Sequence, residues 1–190
     1  MKFSRLKIPE IIVCESDIYK DDRGYFIESF RKDKLESFVG HKIFFCQENE
    51  SRSYKGVLRG LHYQLPPHAQ TKLVRVVKGA ILDVAVDIRK GSPTFGEHIS
   101  LKLTSDNKKQ LFIPRGFAHG FVVLSEEAIL NYKIDNYYHP KSQRGIAFDD
   151  KFLGIDWTIN KDSILISNQD KNHPNLENAE FFNFRPNLYE

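Results

Sequence analysis

Four side chains capable of acid–base chemistry fall in segments that have the pattern of buried strands. They are His62 in GVLRGLHYQ, Asp83 in ILDVAVDI, His119 in FIPRGFAHGFVV and Tyr132 in ILNYKIDNYY. An imidazole, a carboxylate and a phenol can accept, hold and donate a proton near neutral pH. A single histidine or tyrosine on a strand is usually a packed residue with a hydrogen-bonded tip. Four such groups on the strands of one barrel instead favour a polar-lined barrel mouth.

The segment GVLRGLHYQ, residues 56–64, poses a geometric problem, because side chains alternate between the two faces of a regular strand. Arg59 and His62 are three positions apart, so they face opposite ways unless an extra residue interrupts the pairing. Gly56 and Gly60 are the residues that permit such a bulge. The sequence therefore predicts a bulge if both side chains serve one site.

Short β-branched and aromatic runs recur between turn signals through most of the chain, which is typical of a sandwich or barrel. The turn VKGA predicts a hairpin in which Gly79 takes a positive φ. The strand over 81–88 then places Asp83 and Asp87 on one face. KKQLFIPRGFAHGFVVLS and AILNYKIDNYYHP predict two further strand regions.

Helical periodicity is confined to short segments. RKDKLESFVG predicts a helix in which Leu35 and Phe38 share a face and Gly40 serves as the C-cap. A second short helix is predicted near PNLENAEFF. The predicted fold class is therefore all-β, a barrel with a few short peripheral helices.

Composition limits the function classes. A chain of 190 residues, 41% hydrophobic and 28% charged, is predicted to form a single soluble domain over 1–190. The net charge of +3 is scattered, which disfavours nucleic-acid binding. No signal peptide and no long apolar run is present, so we expect no membrane association and a cytoplasmic location. Cys14 and Cys46 form no CxxC pair and predict no disulfide framework.

Small histidine-lined barrels often hold a metal through an HxH pair, a downstream Glu and a later His. His62 stands in HYQ, which is not an HxH pair. The next acidic residue is Asp83, and the next glutamate is Glu97, beyond a turn. The sequence therefore predicts no metal site.

Five motifs, taken in order, resemble those of a known family. They are DDRGYFIESF, QENESRSYKGVLRGLHYQ, KLVRVVKGAILDVAVDIRKGSPTFGEH, LFIPRGFAHGFVVLSEEAILNYKIDNYYHP and GIDW. Together they resemble the dTDP-4-dehydrorhamnose 3,5-epimerases over residues 10–175. The resemblance implies a metal-free, cofactor-free cupin jelly roll that forms a homodimer. It also implies epimerisation at carbons 3 and 5 of a 4-keto-6-deoxy sugar carried on dTDP, in the making of dTDP-L-rhamnose for bacterial surface polysaccharides such as lipopolysaccharide.

The resemblance also implies catalytic roles. His62 matches the family's base, and Asp170 in SNQD matches the aspartate that orients it. Tyr132 matches the acid that returns a proton to the opposite face of the sugar, for which an ordinary phenol pKa of about 10 is suitable. Lys72 matches the residue near the keto oxygen, where a cation stabilises developing enolate charge.

Further ligand-binding positions carry over from the family. The resemblance places substrate-binding residues at Arg23, Glu28, Gln47, Asn49, Arg59, His119, Tyr138 and Gln143. Arg23 and Arg59 suit diphosphate, Tyr138 matches the ring that stacks on thymine, and Asp83 matches the carboxylate that pairs with His119. Gln143 stands where the family often has an acid, and Gln169 where it commonly has a lysine. Both changes bear on nucleotide affinity and on the choice of substrate.

Two alternatives remain open from the sequence. A 3-epimerase that inverts one carbon of a related dTDP-4-keto-6-deoxy sugar would use the same base. A sugar-nucleotide-binding cupin without catalytic activity is the alternative from a different class. The presence of both His62 and Tyr132 disfavours the second alternative.

Overall fold

The computed structural model describes residues 1–184, 188 and 189, and strands account for most of its regular structure. The strands are β1 (Lys2–Arg5), β2 (Ile12–Glu15), β3 (Ile18–Asp21), β4 (Gly24–Ile27), β5 (Gln47–Tyr54), β6 (Val57–Gln64), β7 (Lys72–Lys78), β8 (Ala80–Asp87), β9 (Arg89–Lys90), β10 (His98–Thr104), β11 (Lys109–Ile113), β12 (Phe117–Val123), β13 (Glu127–Ile134), β14 (Gln143–Gly145), β15 (Leu165–Ile166) and β16 (Phe182–Asn183). The helices are α1 (Lys32–Val39) and α2 (Asn168–Lys171), with single 3₁₀ turns at Pro140–Ser142, Lys161–Ser163 and Leu176–Asn178.

Two main sheets form the body of the molecule. One has the order β1-β2-β11-β7-β13-β5, and the other has the order β10-β8-β12-β6-β14, with β15 added parallel to β6. Apart from that parallel pair, the strands within both sheets pair antiparallel. This architecture confirms the predicted all-β class and the cupin-type jelly roll.

Alternation along the strands builds the core between the two sheets. In β8, Ile81 and Ala85 belong to the cluster that both sheets share, whereas Leu82, Val84 and Val86 belong to a cluster on the opposite face. C-terminal residues cover that opposite face. A third cluster lies where α1 packs on the first sheet. The central cluster holds the two sheets face to face, because burying apolar side chains from both is the main favourable term.

The predicted hairpin at VKGA is wrong. Gly79 has φ +81°, as expected, but β7 pairs with β11 and β13 while β8 pairs with β10 and β12. The turn therefore passes the chain from one sheet to the other. A Cβ at position 79 would lie 2.0 Å from the Glu127 carbonyl oxygen, so only glycine fits this crossing.

The helix predicted at RKDKLESFVG is confirmed as α1. Leu35 is buried and Phe38 packs beside it, while the Gly40 N–H donates to the Glu36 carbonyl oxygen as the C-cap. The helix predicted near PNLENAEFF is only the 3₁₀ turn at 176–178. Cys14 and Cys46 are both free. Among the helices of the described residues, none is long and apolar enough to cross a membrane.

Candidate active site

A bulge in β6 sets the geometry of the site. Arg59 pairs with Phe121 and His62 pairs with His119, so β6 advances three residues while β12 advances two. Gly60, with φ +131°, lies inside this interval, and a Cβ there would be 2.5 Å from the Gly120 Cα. The predicted bulge is confirmed, and it brings Arg59 and His62 to the same cavity.

That cavity has a volume of about 620 Å³ and lies between side chains of both sheets. The four residues predicted to be catalytic, His62, Lys72, Tyr132 and Asp170, all line it. The predicted ligand-binding residues Arg59, His119 and Gln143 line it as well. The fold thus gathers acid–base groups from distant parts of the chain around a space suited to a small molecule.

An adjoining cavity of about 340 Å³ shares His62, Lys72, Tyr132 and Gln143 with the first. Its remaining wall includes Gln47, Asn49 and Tyr138, all predicted to bind the nucleotide. Gln47 Nε2 donates to Asn49 Oδ1 at 2.6 Å. The two cavities form one cleft, with the acid–base groups where they meet.

His62 is paired with Asp170. Their Nε2 and Oδ1 atoms are 3.0 Å apart, and Asp170 Oδ2 accepts a hydrogen bond from the Gly60 N–H at 3.1 Å. Ser167 caps α2 by accepting from the Asp170 N–H at 3.1 Å, so the helix start fixes the carboxylate. The bulge glycine and the helix cap therefore hold the two members of the pair together.

The Asp170 carboxyl is stabilised as the anion. Burial alone would raise its pKa, but the neighbouring His173 and His62 rings and the Gly60 N–H outweigh burial and hold the pKa well below its usual range. An ionised Asp170 accepts from Nε2–H of His62, which leaves the lone pair on Nδ1. Nδ1 is then the nitrogen able to take a proton.

His119 and Asp83 form a second pair on adjacent strands. His119 Nε2 lies 3.0 Å from both Asp83 oxygens, and both side chains are buried. Burial lowers the pKa of His119, against the pull of Asp83 toward the charged form. This histidine is therefore held in place as a neutral ring in the cavity wall at neutral pH.

Lys72 and Tyr132 are the other two ionisable residues predicted to be catalytic. Burial lowers the pKa of Lys72 to about 8, although Asp83 favours its charged form, so the ammonium predominates at neutral pH. Burial raises the pKa of Tyr132, and this outweighs the hydrogen bond to Asn49 and the charge of Arg59. The site therefore offers a cation and a protonated phenol beside His62.

Two predicted ligand residues line neither cavity. Arg23 lies at the turn between β3 and β4, where its side chain is 90% exposed and pairs with Asp21. Glu28 forms an ion pair with Arg31 at 3.0 Å. Within the described chain, neither side chain is brought to the cleft.

His173 was missed from the sequence. Its Nε2 lies 3.6 Å from Asp170 Oδ1, and its ring centroid is 5.5 Å from that of His62. Ligand atoms of His62, Asp170 and His173 lie within 4.8 Å of one another, and they form the one such cluster among the described residues that could hold a metal ion by donor type. In the sequence, the only indication that His173 lies near Asp170 is their separation by three positions, which is a weak signal without the fold.

Known proteins that are similar to this chain belong to the family that its motifs resemble. A family model described as dTDP-4-dehydrorhamnose 3,5-epimerase matches residues 5–178. A protein of Shigella flexneri named dTDP-4-dehydrorhamnose 3,5-epimerase is 48% identical over 96% of this chain and 99% of its own length.

Solved structures of sugar-nucleotide epimerases are also similar to this chain. A Legionella pneumophila dTDP-6-deoxy-D-glucose-3,5-epimerase in complex with dTDP-4-keto-L-rhamnose has 43% identity and a TM-score of 0.93, covering 97% of this chain and 98% of that one. A 3'-monoepimerase of Streptomyces bikiniensis, solved with dTDP as a double mutant of one histidine and one tyrosine, has 33% identity and a TM-score of 0.85, covering 90% and 86%.

Proposed function

This chain belongs to the dTDP-4-dehydrorhamnose 3,5-epimerase family, and we propose how the residues of its cleft carry out the epimerisation. The chain is an isomerase of dTDP-L-rhamnose biosynthesis. It epimerises dTDP-4-dehydro-6-deoxy-D-glucose at carbons 3 and 5, which gives dTDP-4-dehydro-L-rhamnose. The residues that carry out each step are our proposal.

His62 is the base. Carbons 3 and 5 both flank the carbon-4 ketone, so removal of either proton gives an enolate whose charge lies largely on the keto oxygen. Asp170 accepts from Nε2–H of His62 at 3.0 Å, which orients the ring and leaves Nδ1 free to take the proton. As the imidazolium forms, the adjacent carboxylate stabilises its charge.

Lys72 stabilises the enolate. Its ammonium lines the same cavity as His62, and its pKa of about 8 keeps it mostly charged at neutral pH. A cation placed where negative charge develops lowers the barrier more than one that binds substrate and transition state equally. Lys72 therefore acts at the keto oxygen during both proton abstractions.

Tyr132 is the acid. It returns a proton to the carbon from the face opposite His62, so the configuration inverts, and the phenolate formed recovers a proton from solvent. His62 releases its own proton to solvent before the second carbon reacts. In the 3'-monoepimerase mutant, the replaced histidine and tyrosine are separated in sequence by as many residues as His62 and Tyr132, which supports this pairing of roles.

The adjoining cavity takes the nucleotide. Tyr138 offers an exposed ring for stacking on thymine, and Gln47, Asn49 and Gln143 offer amides to the sugar and base. Arg59, whose Nε donates to Ser53 Oγ at 3.0 Å, is the candidate for the diphosphate. His119, fixed by Asp83, completes the wall between nucleotide and sugar.

We also propose a single cytoplasmic domain that forms a homodimer. The β3–β4 hairpin exposes Tyr19, Tyr25 and Phe26, an apolar surface suited to a second copy of the chain. The same hairpin carries Arg23, which lies outside the chain's own cleft. Docking of this hairpin on a partner would give Arg23, and Glu28 just after it, a route to the partner's ligand.

The observation that carries this proposal is the His62–Asp170 pair in one cavity with Lys72 and Tyr132. Incubation of dTDP-4-keto-6-deoxy-D-glucose in D₂O, followed by NMR, should show deuterium at carbons 3 and 5, equally with and without EDTA. Tyr132→Phe should retain part of the exchange but form little epimerised product, because its base is intact. Exchange at carbon 3 alone would identify a 3-epimerase, and binding of dTDP without any exchange would identify a non-catalytic protein.

A further inference from the structure

His173 occupies a protected position behind the base. It follows α2, and its side chain is only 10% exposed. The Ala147 N–H donates to the Pro174 carbonyl oxygen at 2.8 Å, which ties this segment to the chain just beyond β14. The ring meets that of His62 edge-on, at an interplanar angle of 85°. His173 is thus fixed by backbone contacts beside a residue that must keep its orientation.

Gly145 makes room for this ring. It is the partner of His62 in the β14–β6 register, and its φ lies outside the left-handed region, so its backbone does not require glycine. A Cβ there would lie 2.3 Å from Nε2 of His173 and 2.4 Å from two ring carbons, Cδ2 and Cε1. Glycine at 145 is therefore explained by the space that the His173 ring needs next to His62.

The polar atom of His173 is aimed at the Asp170 carboxylate. Among the described residues its buried Nε2 has no hydrogen-bond partner, and Asp170 Oδ1 is 3.6 Å away. The same Oδ1 pairs with His62 Nε2 at 3.0 Å. A buried N–H without a partner is costly, so a nitrogen held just beyond bonding distance of an anion is poised to contact it when the carboxylate shifts slightly.

We propose that His173 is a positioning residue for the base, acting through Asp170. Its N–H competes with His62 for one carboxylate oxygen, which keeps Asp170 ionised and limits how strongly it stabilises the protonated base. This inference rests on the proposed role of His62. Without His173, Asp170 would hold the imidazolium more strongly, and the base would be protonated up to a higher pH.

Other charged and titratable groups around His62 come from different elements. Lys72 reaches the cavity from β7, Arg59 from β6 itself, Tyr132 from β13, and the His119–Asp83 pair from β12 and β8. Because none of them changes in a His173 variant, a shift in the pH profile of that variant reports on the contact through Asp170.

Two substitutions distinguish the effect of the His173 N–H donor from the effect of its aromatic ring. His173→Phe keeps an aromatic ring but has no N–H, whereas His173→Gln keeps a donor. For His173→Phe we expect kcat to fall about 3- to 10-fold, because Asp170 loses a neighbour that positions it toward His62, with KM changed less than about twofold. We also expect the acid limb of its kcat/KM profile to move up by about half a pH unit. His173→Gln should stay close to wild type, and His98→Phe, which makes the same change at a half-buried ring outside the cleft, should match wild type.

The pH profile decides the outcome. An acid limb unchanged in His173→Phe overturns the proposal even if kcat falls, because packing alone would lower the rate without moving the profile. If His173→Phe does not fold, Gly145→Ala decides, since it displaces the ring while keeping every polar group; an unmoved acid limb there overturns the proposal equally. Absence of exchange in the wild-type protein would refute the proposed function instead, so the two failures are distinguishable.

Discussion

The cleft holds two histidine–aspartate pairs that differ in how they are built. In His119–Asp83 both residues lie on adjacent central strands, both are buried, and Nε2 lies 3.0 Å from both oxygens. In His62–Asp170 the histidine sits at a bulge with its side chain 30% exposed, and the aspartate comes from a short helix late in the chain. The same two side chain types thus form a rigid wall in one case and an accessible imidazole, the proposed base, in the other. Exposure to the cavity, rather than residue type, distinguishes the pair that is proposed to exchange protons with the substrate.

Loss of the His62 imidazole should have the largest effect. His62→Ala should abolish deuterium exchange at carbons 3 and 5, with a loss of at least about 10³-fold, since the group proposed to take the proton is removed. The fold should be retained, because the ring lies in an open cavity. NMR in D₂O measures the exchange, and circular dichroism checks folding. Exchange at a wild-type rate in a folded His62→Ala protein would mean that the base has been misassigned.

Matched substitutions of Asp170 and Asp83 should have the next largest effects. Asp170→Asn should lower kcat by about 10²-fold or more, because an amide can present a donor to Nε2 and so favour the wrong tautomer. Asp83→Asn should lower kcat by about 10-fold at most but cost about 1–3 kcal/mol of unfolding free energy, since a fully buried pair is weakened. Steady-state kinetics and urea unfolding measure the two effects. Equal kinetic losses in both variants would remove the distinction drawn between the pairs.

The smallest expected effect is on the pH dependence of stability. Burial lowers the pKa of His119 below the ordinary 6.5, so the unfolded chain binds the extra proton and stability falls as pH drops below about 6.5. The pKa of Asp170 is also lowered, and that contribution is lost only below about 3.8. Melting temperatures between pH 8 and 5 should therefore decline with acid. His119→Asn should flatten part of that slope, while the lowered pKa values of His41 and His98 maintain the rest.

The sequence was most informative where a local pattern dictates the structure. Alternation predicted the strands, two glycines predicted the bulge, and Gly40 marked the end of α1. The hairpin at Gly79 failed because a turn signal does not determine which strands pair, and here the chain crosses from one sheet to the other. The positions of Asp170 beside His62 and of Lys72 near Tyr132 came from the family resemblance, since no local pattern relates residues so far apart.

Two features lay beyond the sequence for physical reasons. The role of Gly145 depends on its contact with His173, which forms only when β14 and the segment after α2 are folded together. Arg23 and Glu28 were expected at the ligand, but one chain alone does not bring them to its cleft. Arg23 lies on the exposed β3–β4 hairpin, so its proposed contact with the ligand depends on the proposed homodimer.

Because of the extra residue in β6, the side chains after Gly60 face the side of the sheet opposite to the one that they would face in a regular strand. If the same residues formed a regular strand without the bulge, Arg59 and His62 would lie on opposite faces of the sheet, and Tyr63 would face the cleft instead of the outer cluster. Deletion of Gly60 would keep these two side chains on one face but would bring them one residue closer along the strand. The count of residues in β6, as much as their identity, is therefore what the site depends on.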